Sequence, residues 1–351
     1  MEMKKRILIS VSAVLALAVI FALCSVLVVP KYTDEKQLEG ALIGEYYDNA
    51  GGHDVIFIGD CEVYESFSPA VMWEKYGISS YIRGSAQQLA WHSYYILEET
   101  LKYEKPKAVV FNVLALKYGK PQNEAYNRMT LDGMKWSLTK AEAIFASMTE
   151  EESFLDYVFP LLRYHSRITE LNGDDFKYAF ADTPEVSHSG YLMQTDIVPM
   201  PEGDEEGFPL TDYTLPSRAM DYLEKMRVLC SENGIELILV KAPTNSWKYW
   251  WYDEWEEQIV EYANEKKLSY YNFIPLCDEI GIDWTTDTYD AGLHLNVYGA
   301  EKLSDYFGEI LVKEHGIADR RGDATESARW KVRIEKYKKE KSEREEINNE
   351  D

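Results

Sequence analysis

One cysteine stands where nucleophilic chemistry would need it. Asp54–Glu62 reads DVIFIGDCE, a short apolar run that ends on glycine and turns through Gly59-Asp60-Cys61-Glu62. A buried strand ending this way presents its next side chain at the carboxyl edge of a sheet, where open α/β sheets bind ligands. Far downstream, Asp290-Ala291-Gly292-Leu293-His294-Leu295-Asn296 lies just before a helix. Together these supply a nucleophile, a general base and a group to orient the base, to be assembled by folding. His294 would take the proton of Cys61, and Asp290, with Asp287 as the alternative, would hold the imidazole. Asp60 and Glu62 flank the thiol, and their charge opposes thiolate formation unless protonated His294 compensates.

The elements that must position these residues alternate along the chain. Apolar runs predict strands at Val55–Ile58, Tyr81–Ile82, Ala108–Phe111, Glu236–Val240 and Tyr270–Phe273. Between and after them, helices are expected over Phe67–Tyr76, Gln87–Tyr103, Ser217–Asn233, Glu254–Lys266 and Asn296–Glu314. That alternation implies an α/β fold, a parallel sheet covered on both faces. Residues 114–215 break the pattern. They carry helical pieces near 137–147 and 151–171 and an acidic Gly/Pro-rich loop at 201–207, and read as an inserted helical cap with a flexible exit.

Residues Ile7–Val29 are 23 consecutive uncharged, mostly apolar positions, long enough to cross a bilayer, and Lys4, Lys5 and Arg6 precede them. The positive-inside rule then puts the N-terminus in the cytoplasm and the bulk of the chain outside. Leu23 precedes Cys24 where a lipoprotein signal needs a small residue, which favours an uncleaved signal anchor. The chain divides into a cytoplasmic stub and anchor at 1–30, a juxtamembrane connector at 31–52, the α/β domain at 53–316 and a charged tail at 317–351. The tail interleaves bases and acids and reads as a solvated helix or disordered extension. A net charge of −24 over 351 residues argues against nucleic-acid binding. Of four cysteines, Cys24 lies in the span, and an odd number remains outside it.

In the order and strand-end placement of these blocks the chain resembles the SGNH/GDSL hydrolase superfamily, with cysteine in place of the nucleophilic serine. Gly59-Asp60-Cys61 matches the nucleophile block, and Asp290 and His294 match the terminal Asp…His block. Gly84 matches the glycine whose N–H joins that of the nucleophile, here Cys61, in the oxyanion hole. Asn112 matches the asparagine that completes it. The anchor, the Gly-x-x-Glu turn and the His294-Leu295-Asn296-x-x-Gly299 ending look like the membrane-anchored DltD-like subgroup. The resemblance implies a flavodoxin-like three-layer α/β/α sheet and an esterase or O-acyltransferase acting on an acylated cell-surface glycan or cell-wall polymer. It also implies a membrane-bound O-acyltransferase as partner, and no cofactor. The alternative is an inactive relative that binds glycan or scaffolds the acyltransferase. Asp60, Glu62, Asn245 and Trp247 are weaker candidates for substrate contacts. Trp247 belongs to a dense aromatic stretch with Tyr249, Trp250, Trp251, Tyr252 and Trp255, and Arg163-Tyr164-His165-Ser166-Arg167 is the best basic cluster for an anionic substrate. No Cys/His spacing suggests a metal site.

Overall fold

Five short strands, each buried on both sides except at the sheet's far edge, build the centre of the molecule. They are β1 (Val55–Gly59), β2 (Ser80–Gly84), β3 (Ala108–Asn112), β4 (Glu236–Lys241) and β5 (Ser269–Asn272). All pairings are parallel, in the order β2-β1-β3-β4-β5. This is the doubly wound, flavodoxin-like order, and it reverses direction between β1 and β3, where the crevice for a ligand opens. The computed structural model describes residues 2–179, 183–200, 209–245 and 251–350.

Successive strand residues point to opposite faces, so each strand feeds two cores. Val55 and Phe57 pack with Phe67, Leu303 and Phe307, whereas Ile56 and Ile58 pack with Leu97, Leu223 and Ile259. The first face is covered by α3 (Cys61–Ser66), α4 (Pro69–Tyr76) and α14 (Val297–Lys313). The second is covered by α5 (Ala90–Thr100), α11 (Ser217–Glu232) and α12 (Asp253–Lys266). Ser68 caps α4 with its hydroxyl, Pro69 starts it, and Gly77 ends it at φ 69°. A short α13 (Cys277–Ile280) follows β5.

The insert contains α6 (Glu124–Leu131), α7 (Leu138–Ser147), α8 (Phe154–Val158), α9 (Pro160–Tyr164) and α10 (Gly173–Lys177). Its small core joins Leu131, Met134, Ile144 and Tyr157 to Ile43 of α2 (Leu42–Asn49) and to Ile96 of α5. The helical stretch expected over 151–171 is divided into three short elements. Pro160 lacks an N–H and holds Phe159 out of helical geometry, so one helix stops and another begins there. The acidic loop 201–207 lies outside the described residues. The exit ahead of it is built into the fold. Ile82 N–H donates to Ser189 O, Leu192 N–H to Tyr64 O, and Val297 N–H to Gln194 O. Gly190 passes so close to β2 that a Cβ would sit 2.0 Å from Ile82 O.

The charged tail is a helix, one of the two forms expected of it, but that helix is packed on the domain and not a free solvated one. It forms α15 (Ala324–Glu350), and Trp330 stacks on Trp73 with centroids 5.2 Å apart and planes 9° from parallel. Ile334 and Tyr337 continue that stripe onto the core. At the other end, α1 (Glu2–Val28) includes Met3–Val28, long and apolar enough to cross a membrane, with none of that stretch's most apolar window buried in protein. Its last turns rest on α9, α10 and the 3-10 turn His165–Thr169.

Trp330 is 1% exposed. Its replacement by alanine should cost about 3–5 kcal/mol, the usual range for a buried large aromatic. Urea denaturation should show a lower midpoint at unchanged slope, while Val332→Ala, on an exposed face of the same helix, leaves the midpoint in place.

Candidate active site

Strand β1 runs into α3 with one residue between them. Gly59 permits this, since a Cβ there would lie 2.5 Å from Val63 Cγ2. Cys61 is thereby the first residue of α3, half-buried, at the carboxyl edge of the sheet beside the switch point. The second half of the site comes from the loop before α14. Asn296 caps that helix, accepting from Tyr298 N–H and Gly299 N–H, and its amide donates to Asp196 O and Thr286 O. Between Asp290 and His294 the chain makes a left-handed turn, with Ala291 at φ 62° and Gly292 at φ 89°. The turn brings the Asp290 carboxylate back onto the imidazole four residues later.

The result is a continuous relay. His294 Nε2 is 3.1 Å from Cys61 Sγ, and His294 Nδ1 is 2.6 Å from Asp290 Oδ2. Asp290 Oδ1 also accepts the His294 backbone N–H at 2.8 Å, so the carboxylate fixes both the ring and its backbone. Asp287 is occupied elsewhere: it accepts from Asp283 N–H and pairs with Lys302 Nζ at 2.6 Å. Asp290 is therefore the carboxylate on the imidazole. All four cysteines are free thiols, so Cys61 is not half of a disulfide.

A second carboxylate faces the same ring. Glu65, one turn beyond Cys61, places Oε2 3.6 Å from His294 Nδ1, while its Oε1 accepts from Tyr289 O–H at 2.8 Å. The Tyr289 ring stacks near-parallel to His294. Burial lowers the basicity of His294, but Glu65, Cys61 and Asp290 outweigh it and hold the imidazole pKa well above its ordinary value. Burial pushes the Cys61 thiol up to about 11, with Asp60 and Glu65 adding to the rise and His294 opposing it. Burial also lifts Glu65 to about 7. Both directions favour keeping the protons of the pair, and a thiolate forms only when the pair gives one up.

Beneath the thiol lies a buried polar network that corrects three expectations. The Asn112 amide donates to Asp60 Oδ1 at 3.1 Å and to Glu62 Oε2 at 2.9 Å, and its oxygen accepts from Ala242 N–H. Both amide hydrogens are used, so Asn112 braces the site and does not face an oxyanion. Glu62 pairs with Lys241 Nζ at 2.7 and 2.9 Å, with both side chains essentially unexposed. Asp60 and Glu62 therefore point into the protein, not toward a substrate. Asp60 is buried too, and burial, then Glu62, raises its carboxyl to about 7.

The remaining candidates fall as follows. Gly84 pairs in register with Gly59, and a Cβ on it would lie 3.0 Å from Tyr64 Cδ1. Asn245 sits on the loop leaving β4, its N–H bonded to Gly292 O, and lines a cavity of about 480 Å³ with Trp251, Cys277 and Trp284. Trp247 lies outside the described residues. Trp251 and Trp255 are core residues. The Arg163–Arg167 cluster serves other partners: Arg163 pairs with Glu124, and Arg167 bonds Val28 O and Asp175. Sequence reasoning missed Glu65, Tyr289 and Lys241. Glu65 was accessible in principle, four residues after Cys61 on the same helical face. So was Lys241, a charge closing an apolar strand, because such a charge must be paired. Lys117 was missed as well, its ammonium lowered to about 8 by burial despite the opposing pull of Glu62, Asp60 and Cys61.

No protein-family model matches the chain, and no curated protein matches it in sequence. Among solved structures, it has a distant, partial likeness to two Bacteroides proteins. One, from Bacteroides fragilis, is an acylhydrolase by provisional assignment. It is 11% identical, the match covers 77% of this chain and 94% of that one, and the TM-score is 0.37. The other is a GDSL-like lipase from Bacteroides thetaiotaomicron, 10% identical over 79% and 99% of the two chains, with a TM-score of 0.36.

Two measurements test the electrostatics. Glu65→Gln removes a negative charge that favours both protons of the pair, so the pH midpoint for Cys61 alkylation by iodoacetamide should fall by about one pH unit. Lys241→Met leaves Glu62 buried without its partner and should cost about 3–5 kcal/mol, most of it recovered in the double variant with Glu62→Gln.

Proposed function

We propose that this chain is a membrane-anchored, extracytoplasmic esterase or O-acyltransferase that works through a cysteine nucleophile on an acylated cell-surface polysaccharide or cell-wall polymer. The observation that carries this reading is the relay from Cys61 Sγ through His294 to Asp290, with links of 3.1 and 2.6 Å at the sheet's switch point. The working form is the thiolate–imidazolium pair. The thiolate attacks an ester carbonyl, and the backbone N–H groups of Cys61 and Gly84 receive the developing oxyanion. His294 then gives its proton to the departing alkoxide, leaving an acyl thioester on Cys61. Water or a sugar hydroxyl, deprotonated by the now neutral imidazole, resolves that thioester. Asp290 stabilises the imidazolium and fixes its tautomer throughout. Thioesters acylate alcohols readily, so transfer is as well supported as hydrolysis. Lys4, Lys5 and Arg6 before α1 support a cytoplasmic N-terminus, with the site on the other side of the membrane. A membrane-bound O-acyltransferase supplying acyl groups is the partner that the sequence resemblance favours.

One observation favours a second reading. A thiol pushed up to about 11 is a poor resting nucleophile. A protein that only binds glycan or scaffolds an acyltransferase would tolerate this.

Intact-mass measurement after incubation with an activated acetyl ester separates the two. We expect a hydroxylamine-sensitive acetyl adduct at Cys61, absent in Cys61→Ala and strongly reduced in His294→Ala. Asp290→Asn should slow acylation by about 10²–10⁴-fold. Because a proton must leave the pair, the acylation rate should climb as pH rises from 6 to 9 (on the order of tenfold per unit below the midpoint). A Cys61 that stays unmodified, and that iodoacetamide alkylates slowly at pH 9, establishes the binding reading instead.

A further inference from the structure

Among the described residues, the insert carries most of the exposed large apolar side chains outside α1, and several gather where α1 meets the domain. Phe159 precedes α9, Leu162 lies on α9, Ile168 on the turn His165–Thr169 and Phe176 on α10. Their exposures are 41%, 49%, 52% and 60%. All three of these elements pack against α1. Elsewhere in the domain, exposed residues such as Tyr103, Val228, Val260 and Val312 sit singly on separate elements, which is ordinary for a protein surface. A cluster is different, and marks a partner.

Depth along α1 identifies that partner. A hydrocarbon layer of about 30 Å takes about 20 helical residues at 1.5 Å each. Counted from Ile7, directly after the Lys4-Lys5-Arg6 run, such a span leaves the hydrocarbon near Val26. The structure marks the same level independently. Lys31 Nζ bonds the carbonyls of Val26 and Val29, and the Arg167 guanidinium bonds that of Val28. Cations reaching the last carbonyls of a span are at home in the headgroup region. Phe21 lies five residues before Val26, roughly 8 Å deeper. Its ring meets the ring of Phe159 edge-on, with centroids 5.6 Å apart. Phe159 therefore cannot stay in water while α1 spans the membrane. Between α1 and the insert an open groove of about 640 Å³, lined by Ala18, Phe21, Ala22 and Val26 on one wall and Trp136 and Phe159 on the other, lies at the same depth.

We propose that the insert is a membrane-docking element: α9, α10 and the turn between them lie in the leaflet on the domain's side, with Phe159, Leu162, Ile168 and Phe176 among the lipid chains. Helices of five residues leave most of their backbone groups open, and the hydrated headgroup region, unlike the hydrocarbon centre, satisfies these while the apolar side chains reach inward. The inference rests on the membrane-spanning reading of α1, and it holds whether or not Cys61 is catalytic.

Photocrosslinking of the full chain tests it. A p-benzoyl-phenylalanine probe is placed at Leu15, Leu162, Ile168 or Val260, and the protein is reconstituted in vesicles of phosphatidylethanolamine and phosphatidylglycerol. All four side chains are substantially exposed, so the probe is tolerated. We expect phospholipid-mass adducts at Leu15, Leu162 and Ile168, and none at Val260. A lipid adduct at Leu15 with none at Leu162 and Ile168, or with a second polypeptide crosslinked there, overturns the docking and leaves the anchor standing. No lipid adduct at Leu15 overturns the anchor, and the docking with it.

Discussion

The site stands on a charge pair that water never reaches. Lys241 closes β4 and Glu62 lies in the first turn of α3, and their contact spans 179 positions of sequence to meet at the point where the sheet reverses direction. Removing both charges from water is costly, and only close geometry with further hydrogen bonds offsets it. Asn112 supplies those bonds. Its amide joins Asp60 and Glu62, and its oxygen takes the Ala242 N–H, so the ends of β1, β3 and β4 are laced into one unit. A crevice that topology leaves open is filled from below, and Cys61 rests on top of the filling.

Above that platform the arrangement is a contest over protons. Asp290 and Glu65 both favour a charged imidazole, and the acids near Cys61 favour a neutral thiol. Such a pair keeps its proton at rest, when oxidation or adventitious acylation of a standing thiolate would be a hazard. A further positive charge brought close to the thiol would shift the balance toward the thiolate. The Ala291–Gly292 turn matters here because it presents one carboxylate to both ends of the same residue, the ring and the main chain.

The strands were legible because each is a run of apolar, often β-branched residues bounded by Gly, Pro or Asn, and the relay was legible because strand ends and helix starts announce where side chains gather. Partners in space were not. Asn112 reads as a strand-end amide, but no sequence pattern says that two carboxylates claim both its hydrogens. The tail misled for a related reason. Its charges outnumber everything else, yet Trp330, Ile334 and Tyr337 fall at i, i+4 and i+7, a narrow stripe that suffices to seat a helix on a core. In the insert, Pro160 carried the break in plain view, and the helical periodicity on either side of it concealed the interruption.

That seated tail imposes an order on how the protein comes into being. Arg329 bonds Gly51 O, Arg333 reaches Asn49, and Trp330 Nε1 donates to Ser79 Oγ, so the final helix closes over the residues that lead into β1 and β2. Those strands are among the first of the domain to be synthesised, and their cover emerges long after them. A nascent chain must hold an unfinished apolar seam around Trp73 until α15 has emerged, which lengthens its dependence on whatever shields emerging polypeptide. A chain cut before α15 would keep every group of the relay and still lack the piece that completes the fold around it.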